Sequence, residues 1–239
     1  MKKTVVVESI EGNSGTLMLQ KRMTPGNEVF ELIVGGHYAM SAVDGRTERL
    51  LATCTLAEVA SSGPLSVCVG GLGLGLTLAQ TLCDDRVGEV VVAEIEEAIV
   101  RWNRVYLSCF NDHALTDLRV TVHNGDVMEV VRRGRRRFDA LILDVDNGPS
   151  FLIREGNDWL YGPSGLKSMR RALKPGGALG LWSHRQDDRL HRLLDGVFDS
   201  AGVTLIEDDL PDGDLPDRDI PPTAIYTATR SSRRRRTRT

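Results

Sequence analysis

The sequence predicts an α/β protein: a Rossmann-like, seven-stranded sheet preceded by a small antiparallel β-unit. Three observations carry this. Apolar strand-like runs alternate with helical patterns five times from Leu65 onward, a glycine-rich loop follows the first of those runs, and the last two strand candidates have no helical pattern between them. At 239 residues the chain holds one full α/β domain with a small appendage and is too short for two large domains.

The elements follow in order. Residues 4–10, 15–22 and 29–41 alternate or run apolar and are separated by Gly12-Asn13-Ser14-Gly15 and Thr24-Pro25-Gly26-Asn27, so they read as an antiparallel unit within residues 1–47. From Glu48 to Ala60 the residues Leu50, Leu51, Leu56 and Val59 recur at helical spacing, and Ser61-Ser62-Gly63-Pro64 closes that helix. The strand and helix pairs are then Leu65–Val69 with Leu74–Leu82, Glu89–Ala93 with Glu96–Ser108, and Val120–His123 with Val127–Arg133. Ala140–Leu143 with Pro163–Leu173, and Ala178–Trp182 with Asp187–Phe198, complete the series. Val203–Glu207 and Ala224–Ala228, joined by the acidic, Pro-rich stretch Asp208 to Pro222, suit a terminal antiparallel pair. Five βα units ending in a hairpin is the order of the class I methyltransferase sheet, here assigned to residues 48–229. A dehydrogenase-type domain would continue with another parallel βα unit.

Composition narrows the function classes. With 41% hydrophobic and 26% charged residues the chain falls in the ordinary range of soluble globular proteins. It has no apolar run near the roughly 20 residues of a membrane span and no signal-type opening, so the cytoplasm is expected. The four cysteines are scattered and the five histidines show no metal-ligand spacing, so reduced thiols and no metal are expected. The last ten residues hold six arginines and no acid, which leaves −9 on residues 1–229 of a chain whose formal net charge is −3. Residues 230–239 read as a disordered basic tail and nucleic acid is not expected as a partner, because the tail lacks interleaved aromatics. The run Arg132 to Arg137 reads as a solvated loop.

The loop Gly70-Gly71-Leu72-Gly73-Leu74-Gly75 follows a strand and opens a helix, the setting in which glycines let backbone approach a ligand. Glu94 lies 19 residues after Gly75 at the end of the next strand, where a carboxylate can accept from ribose hydroxyls, and Asp126 ends the strand after that, placed for an adenine edge. Asp144 and Asp146 leave the fourth strand, positions suited to acid/base work beside a bound cofactor. Trp102 falls in phase with Ile95 and Ile99 and reads as core. Trp159 and Tyr161 are candidate walls of an acceptor pocket, and His184 a candidate base near neutral pH.

As a set, these residues resemble the spermidine synthase (polyamine aminopropyltransferase) family. The resemblance covers most of the chain: the β-unit, the loop Gly70 to Gly75, Glu94, Gly125-Asp126, Asp144 with the following Gly148-Pro149, Tyr161, and Leu173-Lys174-Pro175-Gly176-Gly177. It implies S-adenosylmethionine or its decarboxylated form at Gly70, Gly71, Gly73, Gly75, Glu94, Asp126 and Asp144, with Asp144, Asp146 and Tyr161 on the catalytic side. Three positions depart from the family pattern. Gly73 replaces an acid that holds the cofactor's amino group, Asn147 replaces the second strand-four acid unless Asp146 takes over, and Ala39 and about Thr47 stand where a Gln and a Tyr meet the polyamine.

The expected function is therefore transfer of an alkyl group, aminopropyl or methyl, to a small-molecule nucleophile. A non-catalytic nucleotide-binding or interaction protein is the alternative, and an NAD-dependent oxidoreductase the third. Because of the departures, spermidine synthesis from putrescine is expected to be weak and intact S-adenosylmethionine to bind at least as well as the decarboxylated form. No membrane partner is expected, and the acceptor and a homodimer are left open.

Overall fold

A computed structural model describes residues 4–24, 27–41, 45–207 and 221–232 of the chain. Residues 208–220 of the acidic linker and 233–239 of the basic tail lie outside it.

The N-terminal unit is a meander of β1 (Thr4–Gly12), β2 (Gly15–Thr24), β3 (Asn27–Val34) and β4 (His37–Ser41). The expected single strand over 29–41 is two strands, because Gly35 and Gly36 both take left-handed φ (58° and 79°) and close a tight hairpin. Leu17, Leu19, Phe30 and Leu32 are buried and join the same apolar cluster as Leu51, Leu76 and Ile99, so the small sheet packs onto the large domain.

Helix α1 (Arg46–Ala57) opens the large domain, so the boundary expected at residue 48 falls inside its first turn. Then come β5 (Leu65–Gly70), α2 (Leu76–Leu82), β6 (Val87–Glu94), α3 (Glu97–Val105), β7 (Val120–Asn124), α4 (Val127–Arg133) and β8 (Phe138–Leu143). The chain continues through α5 (Asp158–Tyr161), α6 (Pro163–Ala172), β9 (Leu173–Ser183), α7 (Asp188–Val197), β10 (Ser200–Ile206) and β11 (Thr223–Thr229). Every residue of β5 and of β8 is buried, as strands covered by helices on both faces must be. Trp102 is fully buried in the core, as its phase requires.

The sheet order is β10-β11-β9-β8-β5-β6-β7, with β5 to β9 parallel and β11 antiparallel to both β9 and β10. Strand order reverses between β5 and β8. Chains leaving those two strands diverge to opposite sides, which opens a crevice at their carboxyl ends.

Arg230 belongs to the fold rather than to the tail. Its main chain pairs with Gly176 and Gly177, and Nη1 donates to the carbonyls of Leu173 at 2.6 Å and Arg170 at 2.9 Å. Ending the chain at Thr229 is thus expected to cost about 1–3 kcal/mol through orphaned carbonyls, seen as a fall in melting temperature of several degrees. Ending it at Ser232 is expected to leave the melting temperature unchanged.

Candidate active site

The crevice is a cleft enclosing ≈ 890 Å³ to its open mouth, bounded by the glycine loop, the ends of β6 and β8, and Met40 from the small sheet. Gly71 and Gly73 line it, whereas Gly70 and Gly75 are not among the lining residues. Gly71 has φ of 84°, and a Cβ there would stand 2.0 Å from the Asp144 carbonyl oxygen, so the turn out of β5 can pass β8 only as glycine. The loop is tied from behind: Asn103 Nδ2 donates to the Gly73 carbonyl at 2.8 Å and Asn111 Nδ2 to that of Leu74 at 3.2 Å. At Gly73 a Cβ would lie 2.4 Å from Met40 Sδ, and the Leu74 N–H points at the same sulfur at 3.1 Å. A thioether therefore fills the space beside Gly73.

Glu94 ends β6 inside the cleft, 6% exposed, and its two oxygens accept from the Leu72 N–H at 2.8 Å and the Glu96 N–H at 2.9 Å. Burial raises its pKa, against the lowering effect of those hydrogen bonds. Asp126 caps α4 by accepting from the Met128 N–H at 2.8 Å, and its other oxygen meets Arg154 Nη1 at 3.0 Å. Asp144 follows β8 and is positioned by its own N–H, which donates to the Gly70 carbonyl at 2.8 Å. Thr77 Oγ1 of α2 donates to Asp144 Oδ2 at 3.1 Å. Removal from water, then the nearby Glu48 carboxylate, holds the Asp144 carboxyl well above the usual carboxylate range.

Asp146 lines the cleft but is largely committed to the loop that follows it. It is 4% exposed, accepts from the Ile153 N–H at 2.8 Å and faces the Tyr161 hydroxyl at 3.5 Å. Burial pushes its pKa up to about 6 despite those partners. Tyr161 and Trp159 stand behind the cleft wall, not on it: Tyr161 is buried in the core cluster around β8 and β9, and Trp159 lies under the Arg132 guanidinium at 4.5 Å. The His184 ring contacts the Asn147 carbonyl through Nδ1 and packs edge-on against Phe151. Asn147 itself lines the cleft.

Other cleft residues escape a reading by motif. Glu48, in the first turn of α1 and 9% exposed, adds a carboxylate to the cleft lining near Asp144. Its only sequence signal was an acid at the start of an amphipathic helix, which ordinarily marks a helix terminus. Trp182, at the end of β9, supplies an aromatic wall. Glu96, 3% exposed, accepts from the backbone N–H groups of Asn13 at 2.9 Å and Ser14 at 2.7 Å, and so clips the β1–β2 turn over the cleft. Among the described residues no group of three or more His, Cys, Asp or Glu side chains gathers as a metal site, and no helix is long and apolar enough to cross a membrane.

Known proteins resemble this chain in sequence and in fold. The chain is 30% identical over 153 residues to a polyamine aminopropyltransferase of Nitrosomonas europaea, covering 62% of this chain and 45% of that protein. It is 32% identical over 126 residues to polyamine aminopropyltransferase 1 of Streptomyces coelicolor, covering 52% of this chain and 23% of the relative. The matched segment thus spans less than half the length of either relative. Among solved structures, a spermidine synthase in complex with the transition-state analogue AdoDATO superposes with a TM-score of 0.77 at 18% identity, over 95% of this chain and 74% of the other. The spermidine synthase of Thermotoga maritima follows at 0.73 and 18%, over 95% and 73% of the two chains. At that identity the likeness is one of fold. The family model described as the spermine/spermidine synthase domain matches residues 32–187, a span that includes the glycine loop, Glu48, Glu94, Asp126 and Asp144, and the chain therefore belongs to the spermine/spermidine synthase family.

Proposed function

We propose that this chain is an aminopropyltransferase that takes decarboxylated S-adenosylmethionine as co-substrate and passes its aminopropyl group to an amine of a small cationic acceptor. The observation that carries this reading is the pair of carboxylates, Glu48 and Asp144, facing one cleft beside the glycine loop. A cation leaving water needs such acceptors, and a neutral nucleophile would not.

The residues present suit an adenosyl co-substrate. The Glu94 oxygens accept from backbone N–H groups, Leu72 and Glu96 foremost, and keep lone pairs for a ribose diol. Gly125 and Asp126 form the adjoining wall, where an adenine would sit, and Arg154 bound to Asp126 closes that end. The sulfonium supplies a good leaving group, so the protein's share is proximity, alignment and one proton. An ammonium is not a nucleophile. Asp144, with its raised pKa, takes the proton from the acceptor nitrogen as the new N–C bond forms and the C–S bond breaks, releasing methylthioadenosine. The apolar side chains of Leu32, Val34, Ile99 and Trp182 line the same cleft and lower its water content.

The expectation of weak spermidine synthesis counted acids lost at Gly73 and Asn147, and Ala39 and Thr47 in place of a Gln and a Tyr. Glu48 adds one that this count omitted, which favours aminopropyl over methyl transfer. The test incubates the protein with decarboxylated S-adenosylmethionine and putrescine, cadaverine or spermidine, and in parallel with intact S-adenosylmethionine. Methylthioadenosine and an aminopropylated amine are expected in equal amounts. S-adenosylhomocysteine from the intact compound, without methylthioadenosine in the first reaction, would overturn the proposal.

Glu94→Ala is expected to weaken methylthioadenosine binding at least tenfold, since charge-assisted hydrogen bonds to a diol are worth roughly 1.5–3 kcal/mol. Titration calorimetry on the folded variant decides it, and unchanged affinity removes Glu94 from the ribose.

A further inference from the structure

A second concave surface lies at the opposite edge of the large sheet, where β8 and β9 begin rather than end. It encloses ≈ 1100 Å³ to its mouth and is lined by Arg132, Arg135, Arg136, Lys167, Arg170 and Arg171, together with Arg230. The run after α4 and the basic face of α6 are drawn together there because the Arg136 and Arg137 N–H groups donate to the carbonyls of Arg171 and Ala172. Residues expected to form a solvated loop thus become one wall of a built groove.

The lining contains no acid. Asp199, at the rim, meets Arg170 Nη2 at 2.7 Å. Arg230 is held below its ordinary pKa, first by burial and then by the charges of Arg170 and Arg136, as expected where like charges crowd. Such crowding costs stability unless an anion offsets it. Residues 1–229 carry −9 even with six of these cations included, so an extended polyanion would be repelled elsewhere and drawn here.

We propose that this groove binds the phosphate backbone of a base-paired nucleic acid, without reading its sequence. Seven cations around a space larger than the active-site cleft suit successive phosphates rather than one. Arginine forks pair with phosphate oxygens in two-point contacts. The lining carries no aromatic side chain on which an unpaired base could stack, which disfavours single strands. The groove presents no large exposed apolar group for insertion, which disfavours a lipid surface.

The experiment measures fluorescence anisotropy of a fluorescein-labelled duplex DNA of about 20 base pairs, at KCl from 50 to 200 mM, a range over which contacts to several phosphates change affinity by orders of magnitude. The full chain is compared with a chain ending at Ser232 and with the triple variant Arg135→Gln, Arg136→Gln, Lys167→Gln. All three side chains are exposed, so melting temperature and methylthioadenosine affinity should not change. The triple variant is expected to bind at least tenfold more weakly at 50 mM, with the slope of log affinity against log salt reduced by about 3, because each lost phosphate contact removes about 0.9. The tail-less chain should keep a groove-dependent slope. The proposal is overturned if the full chain fails to bind at 50 mM, or if the triple variant binds as the parent does. It is equally overturned if removing residues 233–239 abolishes binding outright, or if phosphatidylserine vesicles or the single strand bind as tightly as the duplex.

Discussion

Asp144→Asn is expected to lower kcat by about 10²- to 10⁴-fold, the range that general-base removal usually costs, while methylthioadenosine affinity changes little. Asn keeps the size and can still accept from Thr77 Oγ1, so the cleft geometry survives. The pH dependence has a definite sign. A base must be unprotonated, and the raised Asp144 pKa means that its proton is held to higher pH than in an ordinary carboxylate. Activity of the parent should therefore fall as pH drops through that raised value, and the residual activity of the variant should lose this limb. Steady-state rates across pH 5.5 to 9 decide the matter, and an unchanged kcat in a folded Asp144→Asn protein excludes Asp144 as the base.

Glu48→Gln has two expected consequences from one lost charge. The acceptor's ammonium loses a carboxylate partner, a change of about 2 kcal/mol or roughly 30-fold in kcat/KM for the amine. Asp144 also loses the neighbouring negative charge that helps hold its pKa up, so the acid limb of the rate profile should move to lower pH. A residue that merely packed α1 against the strands could reduce activity, but it would leave that limb in place. Kinetics with the amine varied at several pH values separate the two cases.

Much of this site could be read along the chain because its parts occur at strand ends, which short apolar runs mark well. The glycine loop, Glu94, Asp126 and Asp144 each follow a recognisable apolar run, and parallel strands deliver all four to one edge of the sheet. Tyr161, near in sequence to the same strand, is buried with its hydroxyl toward Asp146. The same logic overlooked Glu48 and Met40, which come from outside the repeating βα units and reach the cleft only because the small sheet and α1 fold over the crevice. Arg230 looked like the start of a tail by composition, and only its carbonyl partners reveal it as part of the sheet's edge.

By itself, then, the chain's pattern of apolar periodicity and punctuation determined the seven-stranded sheet, its terminal hairpin and the strand-end carboxylates, because those features depend on local spacing and on the geometry of parallel crossovers. The tertiary structure alone decided which acids share a cleft, which side chain lies beside Gly73, and that arginines from α4, α6 and the end of β11 converge on one groove. Those outcomes depend on residues far apart in sequence being brought within a few ångströms, and electrostatic coupling acts through that separation in space, not along the chain.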